Sequence, residues 1–493
     1  MMIGSRNWHW WVLYGALAVI AFGARLTIVV RGGGLLTLGA YDDGVYYAAA
    51  DALVHGRLPY RDFLFLQPPG VMLSGTPFAW FGSVTSDALG LAVCRVAFMA
   101  LGALNTVLVA VILRRFGYLA AAVGGFFYAF TYVAAYSERS ILLEPVGTTG
   151  VLVALAILAH PAMVRRTVWP VLAGVALGVA CGFKIWYAVP AAVIVLFAWR
   201  VWYKVLLGLV AGVTALCLPF FVNAPAQMFT QIVTDQTGRG RAAYTLLERM
   251  QMILGSYRVR NPALVDAGLT TDRLTVILIL VTVVLTAIAF TVRGGRLYPL
   301  LLVVDVGLLL AVPSFYPHYA ALTTPMIALV TGLAVGRVAE LVRVRAAGFA
   351  IAAVAILGII GLNAGMIARG FGVPVPVTGL TSAAATVDGC VMSDDPTILA
   401  VMNVLSRDLA RGCPMQPDLT GWIYDADTLM VAGQDVPRSV NPFWQKHAVA
   451  YLTSGAASII VWPNGFGRAS TVDLTAGPVL FQEGRWVLHA TAP

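Results

Sequence analysis

The segment Tyr41–Gly70, YDDGVYYAAADALVHGRLPYRDFLFLQPPG, holds two adjacent carboxylates, Asp42 and Asp43, with His55, Arg57, Arg61, Asp62 and a double proline. It stands out in a chain of 493 residues of which 11% are charged. Other polar groups recur downstream. YSERSILLEP carries Glu138, Arg139 and Glu144, and GFKIWY carries Lys184. TDQTGRGRAAY carries Asp235, Arg239, Arg241 and Tyr244, and FYPHY carries Tyr316, His318 and Tyr319. A carboxylate beside several cations suits one kind of reaction. It can take the proton of an acceptor hydroxyl as that oxygen attacks a sugar, while Arg, Lys and His hold the anionic phosphate that leaves. A phosphate carried on a lipid would put its tail in a bilayer and its headgroup at the boundary.

Each residue also has a plainer reading. Asp42 can cap the helix that DDGVYYAAADAL starts. Arg57 and Arg61 can anchor the chain at an interface, Lys184 can snorkel from the end of a span, and His318 can be a satisfied structural histidine. Glu144, just before Pro145, can favour a helix start through the dipole. What gives the set weight is where its members fall along the chain.

The chain is 59% hydrophobic with a mean hydropathy of +0.84, the composition of a polytopic membrane protein. Apolar windows of membrane length run at about 10–30, 89–113, 117–136, 146–160, 168–183, 186–199, 205–222, 273–292, 297–313, 319–336 and 346–368, which makes eleven spans. The first reads as an uncleaved signal anchor. The stretch 70–84 is short and broken by Pro and Gly, so it reads as re-entrant or interfacial. With the N-terminus inside, the short inside loops carry Arg6, Arg114 with Arg115, Arg165 with Arg166, Arg200 with Lys204, Arg293 with Arg296, and Arg337, Arg343 and Arg345. Every one is basic, as the positive-inside rule requires. The net charge of +9 therefore reports topology, and no nucleic-acid partner is expected.

That orientation puts the first loop (31–88), the turn 137–145, the loop 223–272, the turn 314–319 and everything after about 370 on the extracytoplasmic face. All the candidate residues share that side and depth, where charges are costly unless paired or used. Residues 1–370 form the membrane module. Residues 376–493 lose the long apolar runs and alternate strand-like CVMSDD, ASIIVWP and RWVLHA with helix-like PTILAVMNVLSRDLARG, which predicts a small α/β domain. Cys390 and Cys413 lie there, whereas Cys94, Cys181 and Cys217 are intramembrane. An oxidising compartment would permit a Cys390–Cys413 disulfide, and the spacing alone leaves it open.

Asp42-Asp43 after one span, then YYAAADALVHGRLPYRDF and QPPG, resembles the first outer loop of the glycosyltransferase C superfamily. The nearest branches are the lipid A aminoarabinose transferases, the protein O-mannosyltransferases and the actinobacterial polyprenyl-phosphomannose-dependent mannosyltransferases. The resemblance continues through SERSILLEP, GVALGVACGFKIWY and SFYPHYAALTTP, covering about residues 10–335. It implies a lipid-bound polyprenyl-phosphate sugar donor, an acceptor that is a cell-envelope lipid, glycan or protein, and inversion at the anomeric carbon. It also implies a first-loop carboxylate as base, with Asp42 in the first acidic position, Asp43 in the second and Tyr46 as the tyrosine that follows. Two positions depart from the aminoarabinose branch. Val45 stands where that branch has an arginine, and Gln67 where it has a lysine before the double proline. Holding the donor phosphate then falls to Arg57, Arg61, Arg139, Lys184 and His318. Glu138, Glu144, Arg239, Arg241 and Tyr319 join Tyr46 and Gln67 as substrate-binding candidates.

The expected activity is transfer of one sugar, mannose or arabinose favoured, on the outer face of the cytoplasmic membrane. The alternatives are a lipid-linked-sugar flippase or transporter and a non-catalytic subunit of an envelope assembly. A transporter would show internal repeats and polar residues near the midplane; no such repeat is evident, and the polar residues gather at one boundary. No metal-ligand spacing is present, and no cofactor is required. A divalent cation, Mg or Mn, held by Asp42 and Asp43 is the one metal reading the sequence allows.

Overall fold

The computed structural model describes residues 8–237, 239, 244–257, 269–342, 344–424, 430–431 and 434–491. Arg241, and Arg6 and Arg343 of the expected inside loops, lie outside the described residues. Among the described residues six helices are long and apolar enough to cross a membrane: Trp8–Arg31, Asp87–Phe116, Trp202–Phe221, Thr271–Thr291, Pro317–Val342 and Arg345–Arg369. Five shorter apolar helices, Tyr118–Phe130, Leu143–Leu158, Val168–Cys181, Ile185–Phe197 and Leu297–Ala311, accompany them among the described residues. Each apolar window read from the sequence falls on one of these helices, and the chain is a multi-pass membrane protein. The outer helices Trp202–Phe221, Thr271–Thr291 and Arg345–Arg369 bury only 22%, 17% and 22% of their most apolar windows, which leaves the rest for lipid.

Close helix contact uses small residues, as expected where lipid tails remove the hydrophobic drive between helices. Val168–Cys181 and Trp202–Phe221 meet backbone to backbone: a Cβ on Gly174 would come 2.0 Å from the Val205 carbonyl oxygen, and one on Gly208 2.0 Å from that of Val171. At one end of the bundle, Arg115 joins three connections by donating to the carbonyls of Ala159 and Gly294 and to the Tyr298 hydroxyl. The loops assigned to one face by charge are thus in contact with one another.

The first long loop folds into the helix Tyr41–Val54, an irregular stretch, and the helix Gly70–Val84 with Pro77 inside it. The tail forms a four-stranded sheet in the order Val391–Ser393, Ala457–Ile459, Trp486–Ala490, Val479–Glu483. The first pair is parallel, with Val391 opposite Ala457, and the others are antiparallel, with Ala457 opposite Ala490. Cys390 and Cys413 are joined in a disulfide.

Loop and tail share a single apolar cluster. Val45, Tyr47, Phe65 and Leu91 pack in it with Ile398, Val401, Leu405 and Ile459. Gly44 permits the closest approach: a Cβ there would meet the Thr397 backbone nitrogen at 2.6 Å. Polar ties flank the contact. Ser406 donates its hydroxyl to the buried carboxylates of Asp51 and Asp87, Asn403 Oδ1 accepts from the Ala88 N–H at 3.0 Å, and the Thr420 N–H donates to the Tyr41 hydroxyl at 3.1 Å. The tail therefore sits on the first loop and closes a cleft against it.

Candidate active site

The helix Tyr41–Val54 starts from an extended Ala40 with no side-chain cap, so Asp42 and Asp43 occupy its first turn. Neither caps it, which corrects the plainest reading of Asp42. Adjacent residues on a helix diverge by roughly 100°, and the two carboxylates part company. Asp43 turns inward and is fully buried; its Oδ2 accepts from Arg95 Nη2 at 2.7 Å and from Ser140 Oγ at 2.7 Å. Asp42 turns into the cleft, where its Oδ2 lies 3.7 Å from His318 Nε2 and 35% of its side chain is exposed.

The cleft encloses about 730 Å³, within the range of small-molecule sites. From the first loop it is lined by Asp42, Val45, Tyr46, Phe65 and Gln67; from the later turn by Tyr316, His318 and Tyr319. Arg239 comes from the long loop, and Asp418, Tyr424, Trp444, Trp462 and Phe466 come from the tail. Gln67 is presented by a tight loop. Tyr60 sits at φ 67°, in the left-handed region, and donates its hydroxyl to the Gln67 carbonyl at 2.7 Å. The long loop grips the same stretch. Gln231 Oε1 accepts from the Phe65 N–H at 3.0 Å, and Gln236 Nε2 donates to the Leu66 carbonyl, a few residues before Arg239. Arg239 itself lies over the Tyr424 ring at 4.5 Å, and the Tyr424 and Tyr316 hydroxyls meet at 3.0 Å. Val45 and Gln67, the two departures from the aminoarabinose branch, both face the cleft.

A second layer lies behind this lining. Lys184 Nζ pairs with Glu144 Oε1 at 2.6 Å and sits 3.4 Å from the Tyr319 ring centre. Glu144 is in the first turn of Leu143–Leu158, as its position before Pro145 suggests, but its carboxylate is held by Lys184. Arg139 is buried between two rings of the cleft wall, Tyr136 at 3.9 Å and Phe371 at 4.5 Å, and its Nη2 has no hydrogen-bond partner among the described residues.

Three residues fall elsewhere. Glu138 is buried inside the bundle, bound by Arg25, by Asn105 Nδ2 at 2.6 Å and by the Tyr128 hydroxyl at 2.8 Å, so it faces helix packing and not the cleft. Arg61 is exposed and engaged with its neighbour Asp62 at 2.7 Å, and Arg57 does not line the cleft. The irregular stretch after Val54 carries both arginines away from Asp42. Asp418 and Trp462 were not anticipated from sequence. They lie in the tail, and only the fold brings them opposite Asp42.

Burial raises the Asp42 carboxyl to about 7, with the nearby charges of Asp418 and Glu144 adding to the rise and those of Arg239 and Lys184 opposing it. Although solvent reaches its oxygens through the cleft, protein surrounds the group on its other sides. A carboxylate poised near neutrality can both accept and hold a proton at working pH. The cation reading fits poorly. Asp43 is committed to Arg95 and Ser140, so the two acids do not converge, and no group of three or more His, Cys, Asp or Glu able to hold a metal assembles among the described residues.

No protein-family profile matches the chain, and no curated protein matches its sequence. Solved structures do. The apo structure of ArnT, the aminoarabinose transferase of Cupriavidus metallidurans, superposes with a TM-score of 0.62 at 15% identity, covering 99% of this chain and 100% of that one. The same enzyme bound to undecaprenyl phosphate gives 0.60 at 16% identity with the same coverage. ArnT is a glycosyltransferase C enzyme, and at these identities the likeness is one of fold. The chain is similar to that superfamily's fold over nearly its whole length.

Proposed function

We propose that the protein is a membrane glycosyltransferase that moves one sugar from a polyprenyl-phosphate donor to a hydroxyl of a cell-envelope acceptor. The observation that carries this reading is Asp42, the accessible acid of a first-turn pair, facing His318 and Arg239 in one cleft. The fold shared with an enzyme crystallised with undecaprenyl phosphate supports it. In the proposed reaction the acceptor oxygen attacks the anomeric carbon as the bond from that carbon to the phosphate oxygen breaks. The acceptor proton passes to Asp42 Oδ2, and the polyprenyl phosphate leaves as an anion. Attack opposite the leaving group inverts the configuration.

Arg239 and His318 hold the departing phosphate, with Arg139 adding positive potential from the layer behind, where the Lys184 charge is balanced by Glu144. Tyr46, Tyr319 and Gln67 shape the sugar pocket. Mannose or arabinose is the proposed sugar: Val45 and Gln67 leave the cleft without two cations of the aminoarabinose branch, so recognition of the donor differs from that branch. A lipid, a glycan or a protein of the envelope is the acceptor, and no metal is required. The cytoplasmic membrane with the cleft and tail outside is the proposed setting, supported by the basic inside loops and by a disulfide in the tail.

The test is direct. Purified protein in liposomes is given polyprenyl-phosphate-linked mannose or arabinose with envelope acceptors, and the acceptor mass is followed. The wild type should add one sugar. Asp42→Asn should lower transfer by about 10³-fold or more while retaining polyprenyl-phosphate binding. Unchanged transfer by the variant, or no transfer from any lipid-linked sugar by folded wild type, would overturn the reading. Continued movement of the lipid across the bilayer without transfer would favour a flippase.

A further inference from the structure

Resting on that reading, we propose that the acceptor is an uncharged glycan, and that one of its sugar rings is seated on the face of Trp462 at the tail side of the cleft. Trp462 lines the cleft and is 37% exposed, so part of its ring faces the cleft volume. It is also unusually well held. Its backbone N–H donates to Asp394 Oδ2 at 2.9 Å, and its indole Nε1 donates to Asp395 Oδ2 at 2.9 Å. Both acids are buried, and Asp394 also accepts from the Val461 N–H at 2.6 Å. Arg485, which does not line the cleft, lies 5.6 Å from the ring centre and donates to the Val461 carbonyl. Two hydrogen bonds fix the indole by its edge and its backbone and Arg485 backs the ring, while the part of its surface that lines the cleft stays accessible. An aromatic ring fixed in this way binds with little loss of side-chain entropy.

A sugar ring matches such a surface. Its axial C–H groups form an apolar face that packs on an indole, and its hydroxyls project from the rim toward polar groups. Asn464, Asp418 and Thr420 line the cleft on the tail side with Trp462. Asp418 is already turned toward hydroxyl and amide donors, accepting from the Gly421 N–H at 2.7 Å and from Thr420 Oγ1 at 3.2 Å. The charges favour a neutral acceptor. The cleft cations Arg239 and His318 are assigned to the donor phosphate, which leaves Asp418 and Arg438 on the tail side, so a phosphorylated acceptor would compete with the donor for those cations and meet the like charge of Asp418 near Asp42. A neutral sugar hydroxyl does neither and presents the proton that Asp42 takes.

Three acceptors are offered with the same lipid-linked donor: a neutral mannose or arabinose trisaccharide, the same trisaccharide bearing a phosphate monoester, and a threonine-containing peptide. Release of polyprenyl phosphate and the mass of each acceptor are both measured. The expected result is transfer to the neutral trisaccharide, with kcat/KM at least about tenfold lower for its phosphate ester and no transfer to the peptide. Trp462→Ala should raise KM for the trisaccharide about tenfold while kcat changes far less, and Trp462→Phe should recover part of the loss. Polyprenyl-phosphate binding by both variants, measured separately, reports that they are folded. Preference for the peptide or the phosphate ester, or a fall in kcat at constant KM in the folded variants, would overturn the proposal and leave the glycosyltransferase reading standing. Absence of polyprenyl-phosphate release with every acceptor would overturn both.

Discussion

Two neighbouring aspartates have opposite fates because a helix turns by about 100° per residue. Asp43 is paid for by Arg95, whereas Asp42 keeps an open oxygen beside His318. That difference has a pH signature. A base raised to about 7 is protonated and idle below that value and free above it. On the proposed mechanism kcat/KM therefore rises with pH through a midpoint near 7 and levels off. Asp418 contributes to the rise through its negative charge. Asp418→Asn removes a charge that favours the protonated form, so the acid limb should move to lower pH. Arg239→Gln removes a cation that opposes protonation and should move the limb up. Rate–pH profiles of the three proteins check both directions, and an unmoved limb in both variants would exclude Asp42 as the titrating base. At this scale the sequence was informative where neighbours in the chain decide the outcome. Val45 and Gln67 were legible as departures and do face the cleft, but which of two adjacent acids faces it depends on what packs against the helix.

The elements were legible wherever hydropathy sets them, since each apolar window became a helix. The pairings between elements were not. Arg25 and Arg95 lie inside apolar helices, where an unpaired cation is costly. That signal could have pointed to buried acids, and the structure supplies Glu138 and Asp43 as their partners. The Asp43–Arg95 pair ties the first turn of Tyr41–Val54 to Asp87–Phe116 and so aims Asp42. Removing one partner strands a buried charge, at a cost of about 3–5 kcal/mol, whereas replacing both by neutral groups is far milder. Arg95→Met should thus lower the unfolding midpoint in detergent and abolish transfer, and the double variant Asp43→Asn with Arg95→Met should recover much of both. Transfer by the double variant, set against its loss in Asp42→Asn, would separate positioning from catalysis. A double variant that is stable yet inactive would instead assign the chemistry to Asp43.

At the scale of the molecule, the cleft belongs to neither the membrane module nor the tail alone. Asp42 comes from the first loop and Trp462 from the tail, and the shared apolar cluster, with the close approach of Gly44 to Thr397 beside it, holds the two together. Sequence reading described the tail's strands and helix but could not place it over the loop, because contacts between residues more than 300 positions apart leave no periodic trace.

The Cys390–Cys413 disulfide acts on this arrangement through the strand it precedes. Val391–Ser393 follows Cys390 directly, its first N–H donates to Asp408 Oδ2 at 2.8 Å, and Asp394 and Asp395 then hold Trp462. A crosslink with a sequence separation of 23 is worth about 3 kcal/mol by its effect on the unfolded chain. Replacing both cysteines by serine should lower the tail's resistance to protease and its unfolding temperature. It should also raise KM for acceptor before it affects kcat, because the disulfide lies nearer to Trp462 along the chain than to Asp42. The same bond reports orientation. In intact cells the two cysteines should resist a thiol-specific mass tag until reductant is added, as an exported tail requires. Tagging without reductant would put the tail, and with it the cleft, in a reducing compartment and would overturn the proposed orientation.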